Sequence, residues 1–154
     1  VRIHRYTASC SWQGSTGVGY DDYDRSHEAG AVPAKASLRL SSDPAFRGDP
    51  ALLNPEQLLV MAAASCQLLS FLAVAARARI DVIDYHDDAE GEMPDDAEPM
   101  RITRITLSPR ITVWGDVTED RIRHLIDVAH RECFIANSLK TEVLIDPEIH
   151  IFGG

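Results

Sequence analysis

Three cysteines, Cys10, Cys66 and Cys133, are the side chains in this 154-residue chain best suited to covalent chemistry. Cys66 falls within NPEQLLVMAAASCQLLSFLAVAAR, Asn54 to Arg77. At helical spacing its neighbours are Leu59, Ala62, Ala63, Leu69, Ser70 and Ala73. These surroundings are dry and suit an inert core cysteine. A helix beginning at Pro55 has its positive end about 15 Å away, beyond the reach of its dipole. A reactive Cys66 therefore needs a cation from elsewhere, and Arg25, Arg39 and Arg47 are the candidates in the N-terminal third. Glu56 either complements the helix N-terminus or holds such an arginine, whose planar fork can bridge a carboxylate and a thiolate. Cys133, in AHRECFIANSLK, lies 67 residues after Cys66, so the two form no local redox motif, although folding can pair them as attacking and resolving thiols. His130 and Cys133 have the spacing of half a metal site, but there is no CxxC and no second pair, so no metal is expected. Cys10 reads as structural.

The elements that must position these residues follow from pattern. Asn54, Pro55 and Gln57 form an N-cap, a first-turn proline and a capping-box partner. Nineteen uncharged residues follow, Leu58 to Ala76, without a single apolar stripe, which predicts a central helix buried nearly all round. Its length approaches a membrane span, but Gln67, the serines and the alanine-rich run argue for a core helix instead. The small residues Ala62 to Ser65 allow close approach of a second helix, including that of a second copy of the chain. Strands are expected at 2–12, 18–24 and 34–41, the first two as a hairpin. Further strands are expected at 80–92, at 100–114 with a bend at Pro109, and at 142–151. Ile122, Leu125, Ile126 and Ala129 mark an amphipathic helix over 119–131, followed by a short helical piece at 135–139. The result is one α+β domain over 1–154, with a mainly antiparallel sheet curled around the long helix.

Composition narrows the function. A hydrophobic fraction of 45% with 25% charged residues is globular, and a formal net charge of −9 without a basic block argues against nucleic acid as partner. VRIHRYTASCSW lacks the apolar core of a signal peptide, and three cysteines cannot build a disulfide framework. The expectation is a cytoplasmic protein with free or redox-active thiols and no membrane partner.

NPEQLLVMAAASC resembles the NPEELL and SC signature of the OsmC/Ohr family, the osmotically inducible and organic hydroperoxide resistance proteins, and CFIANSLKTEVLID is similar to the segment around that family's second cysteine. The resemblance, spanning about residues 4–152, implies an intertwined homodimer with two central helices sandwiched by sheets and active sites at the interface. It implies Cys66 as the peroxidatic cysteine, Cys133 as the resolving cysteine and Glu56 as the acid that orients a catalytic arginine. Arg25 corresponds to the Ohr-like arrangement and Arg47 to the OsmC-like one, with Arg25 preferred. Phe134 and Ala136 depart from the Pro and Ser common in the family. The implied activity is thiol-dependent reduction of organic hydroperoxides to alcohols through a Cys66 sulfenic acid and a Cys66–Cys133 disulfide. No bound cofactor is implied, and an external lipoyl-type dithiol is the expected reductant. The alternatives are a small-molecule-binding or stress-associated dimer of the same fold without efficient turnover, and a structural protein with buried cysteines.

Overall fold

A computed structural model describes residues 1–153. The chain forms two compact units, one over Val1–Leu58 and the other from Leu59 onward.

The first unit holds a three-stranded antiparallel sheet, β1 (Ser9–Ser11), β2 (His27–Gly30) and β3 (Leu38–Leu40), in that order. β1 and β3 are shorter than the sequence pattern suggests; the strand expected at 18–24 is absent, and β2 forms at His27–Gly30 instead. A 3₁₀ turn occupies Thr16–Val18, and Gly19 takes φ +102°, a conformation that side chains with a Cβ rarely adopt. The carbonyls of Tyr20 and Tyr23, which a strand would offer to a neighbour, accept hydrogen bonds from the Arg25 guanidinium instead. The hairpin therefore closes through a long loop, with Cys10 opposite Ala29.

The central helix α1 spans Pro55–Arg77 and starts as its sequence dictates. Asn54 Oδ1 accepts from Gln57 N at 2.9 Å, and Gln57 Oε1 accepts from Asn54 N at 3.0 Å, a complete capping box. Burial is not all round. Ala63, Gln67, Phe71, Val74 and Ala75 are buried, whereas Met61, Ser65, Leu69, Leu72 and Ala76 form an exposed stripe along the opposite side. One helix buries one face against the sheets and helix of its own chain, and that accounts for the difference.

In the second unit each long extended segment is broken once. The strands are β4 (Asp81–Asp87) and β5 (Glu90–Glu92), β6 (Arg104–Leu107) and β7 (Pro109–Trp114), and β8 (Glu142–Ile145) and β9 (Glu148–Phe152). The breaks lie beside one another, so the three segments give two sheets, ordered β4-β7-β9 and β5-β6-β8. Ser108 N donates to Asp87 Oδ1 at 2.7 Å across the break, and Pro109 begins the next strand. Both sheets are mixed: β4–β7 and β5–β6 are antiparallel, β7–β9 and β6–β8 parallel. The expected mainly antiparallel sheet is corrected accordingly, because the helical crossover after β7 returns the last segment in the same direction. That crossover is α2 (Glu119–Glu132), capped by Thr118 Oγ1 on Arg121 N, and α3 (Phe134–Asn137). Ile122, Leu125, Ile126 and Ala129 of α2 pack with Phe71, Val74, Ile111 and Val113 in one core cluster. A second cluster gathers Ala63, Ile105, Leu107 and Val143.

Candidate functional site

Cys66 and Cys133 come together through the crossing of α1 and α2. On the turn that carries Cys66, Gln67 Nε2 donates to Ile126 O at 3.4 Å, and Ser70 Oγ donates to Ala129 O at 2.8 Å. These bonds hold α1 against the last turns of α2 and close the 67-residue separation. At Cys133 the backbone leaves the helical region (φ −68°, ψ 111°), so α2 stops and α3 starts from the same residue. Cys133 is 2% exposed and its thiol lies close to that of Cys66, both in the free form. Burial pushes the Cys133 thiol above its ordinary range. The Ala136 N–H on its sulfur opposes that shift, and the neighbouring Cys66 thiol adds to it.

Cys66 is partly exposed and lines a cleft of about 600 Å³. Leu69, Ser70 and Ala73 continue its wall along α1, as helical spacing predicts, and Phe134 closes part of it. The cleft is not uniformly dry, because Arg77, Glu132 and Asn137 also border it. Arg77 was absent from the cations considered in the sequence, yet it lies 11 residues past Cys66, about three helical turns, and so on the same face. At about 16 Å along the axis it stands at the far end of the cleft rather than beside the thiol.

The first unit contains the other sequence candidates. Glu56 stands in the first turn of α1 with Oε2 enclosed and without a hydrogen-bond partner. Arg25 lies 3.8 Å from the Tyr23 ring centroid and 4.8 Å from that of Tyr20, and its Nη1 donates to Tyr23 O at 2.8 Å. Stacking and two carbonyls thus fix the guanidinium in place. It borders a cavity of about 290 Å³ with Trp12, Tyr23, His27, Ser41 and Pro55. Arg47 points to the surface, where it pairs with Asp21 at 3.1 Å. Arg39 is exposed on β3 opposite Glu28. Neither Arg25 nor Arg47 is bonded to Glu56 in this chain.

Comparison with known proteins matches residues 48–148 to the model of the OsmC-like protein family, from before α1 through Cys66 and Cys133 to the start of β9. The chain belongs to the OsmC-like protein family. Its solved relatives include an OsmC-like protein of unknown function from Vibrio cholerae, 27% identical with a TM-score of 0.86, over 94% of this chain and 99% of that one. An organic hydroperoxide resistance protein OsmC from Legionella pneumophila shares the fold at 16% identity and a TM-score of 0.68, over 97% of this chain and 99% of that one. Another from Elizabethkingia anophelis, with thiocyanate bound, does so at 14% identity and a TM-score of 0.70, over 98% and 99%. No curated protein matches the chain. Within this OsmC-like fold of mixed sheets and a long helix, the two sequence-predicted cysteines are adjacent.

Proposed function

We propose that this OsmC-like protein is a thiol-dependent peroxidase that reduces organic hydroperoxides to alcohols. The observation that carries the reading is the proximity of the Cys133 thiol, which is buried, to that of Cys66, which is partly exposed and lines an open cleft. The Cys66 thiolate attacks the terminal peroxide oxygen, the O–O bond breaks, and the alkoxide takes a proton to leave as alcohol while Cys66 becomes a sulfenic acid. Cys133 then displaces hydroxide from that sulfur as water, forming the disulfide, and an external dithiol of the lipoyl type returns both thiols. The apolar wall of Leu69, Ala73 and Phe134 favours alkyl peroxides over hydrogen peroxide.

Arg25 is our choice for the cation that stabilises the Cys66 thiolate, with Glu56 as the acid that orients it. Support comes from the fixed guanidinium beside an apolar cavity and from the enclosed, unpartnered Glu56 Oε2, whereas Arg47 is occupied at the surface by Asp21. The exposed stripe of α1 supports a homodimer built on that helix. Single-turnover reaction with cumene hydroperoxide tests the assignment. Cys66→Ser abolishes peroxide consumption, Arg25→Ala slows it by about a hundredfold, and Arg47→Ala leaves it within about twofold, the expected scale for losing one preorganised charge. Consumption at the wild-type rate in Cys66→Ser refutes the peroxidase reading, and slowing by Arg47→Ala alone reassigns the cation.

A further inference from the structure

The cleft beside Cys66 has an apolar wall and a cation at its far end. Around the axis of α1, Ala73 and Arg77 each lie within about 20° of Cys66, so the three follow one line along the helix. Ala73 lies between the other two, and its small side chain leaves the space from thiol to guanidinium open. Two large apolar side chains border the same cleft without being covered by their own chain: Leu69 is 63% exposed and Phe134 79%. Apolar surface of this kind is stabilised when an apolar group covers it. Arg77 is exposed and, among the described residues, forms no ion pair. Its guanidinium therefore remains available to a ligand. Glu132 also borders the cleft and opposes further negative charge, which favours a ligand carrying one negative charge over one carrying two. Because about 16 Å along the axis separates Cys66 from Arg77, a ligand that touches both has an acidic head and a long apolar tail.

We infer that this cleft is a binding site for a linear monocarboxylate, with Arg77 as the residue that holds its head. The planar guanidinium takes the carboxylate through two parallel N–H···O bonds. The alkyl chain runs over Ala73, covers Leu69 and Phe134, and ends against Cys66, shielding that thiol from solvent. The site shares the cleft of the peroxidase reading, but binding there does not depend on turnover.

Calorimetric titration of the reduced protein with dodecanoate, in the absence of peroxide, tests the site. Dodecanoate is expected to bind, with its methyl ester about tenfold weaker, the low end for losing a hydrogen bond to a charged group. Arg77→Gln weakens dodecanoate by about the same tenfold and leaves the ester unchanged, whereas Arg77→Lys recovers most of the loss. Glu132→Gln tightens dodecanoate. If Arg77 served only as a charge at the C-terminal end of α1, its removal would lower the melting temperature and affect acid and ester alike. Reach along the cleft is read from the alkylation of Cys66 by iodoacetamide, followed on its peptide by mass spectrometry. Dodecanoate at about ten times its Kd slows that reaction about tenfold, whereas butanoate, too short to extend from Arg77 to Cys66, leaves it unchanged. Ala73→Leu fills the space between the two and removes the protection. Equal losses for acid and ester in Arg77→Gln, or protection by butanoate equal to that by dodecanoate, overturn the inference. Absence of binding, the result if a second copy of the chain covers the cleft, overturns it too. Peroxide consumption is measured separately, and its absence refutes the peroxidase reading alone.

Discussion

Cys133 meets two opposing demands, since the burial that shields it from adventitious oxidation also disfavours the thiolate it needs in order to react. Its measurable signature is a pH dependence of stability. The fold holds the Cys133 thiol above its ordinary value of 9.0, chiefly by desolvation, and the Tyr85 hydroxyl above its ordinary 10.0 for the same first cause. Raised values in the folded state mean that the folded chain binds more protons than the unfolded one. The contribution is therefore complete below pH 9 and is lost as pH rises, first as Cys133 titrates in the unfolded chain and then Tyr85. Urea midpoints of the reduced protein are expected to fall from about pH 9 upward. Cys133→Ser is expected to remove the earlier part of that fall and Tyr85→Phe the later part. A midpoint independent of pH across this range contradicts the burial assigned to both groups.

At the scale of the element, α1 has two functions on two sides. Its buried side, with Gln67 and Ser70 tied to α2, aligns the cysteines; its exposed stripe is available to a second chain. Met61→Lys combined with Leu72→Lys puts charge on that stripe away from the Cys66 cleft, so sedimentation is expected to show a dimer for the parent and a monomer for the variant. Equal masses for the two proteins exclude the stripe as the interface. The start of α1 was legible because Asn54, Pro55 and Gln57 signal through neighbouring backbone groups. The extent of α2 was legible because Ile122, Leu125, Ile126 and Ala129 repeat at the helical period. The missing strand at 18–24 was not, because its fate depends on the Arg25 side chain taking the carbonyls of Tyr20 and Tyr23. Nor were the aligned breaks at residues 88–89, 108 and 146–147 fully legible: Pro109 marks one, but the split into two sheets requires all three segments side by side.

For the molecule as a whole, Cys66 and Cys133 lie in the same compact unit, the one that runs from Leu59 onward. The cysteines could be named as a pair from family resemblance, but their meeting follows from long-range packing, the crossing of α1 with α2. Arg77 illustrates the same limit, for it carries an ordinary local explanation, a helix-end charge, until the fold opens a cleft that it borders together with Cys66. A net charge of −9 keeps such a molecule soluble and does not determine its substrate. The central claim is that these packed thiols form a redox pair driven by an organic peroxide. Its most direct test is peptide mass spectrometry, without reduction, after the reduced protein receives one equivalent of cumene hydroperoxide. A cross-linked pair of peptides joining Cys66 to Cys133, with Cys10 still free, is the expected result. Both cysteines recovered as free thiols with the peroxide unconsumed would contradict the account.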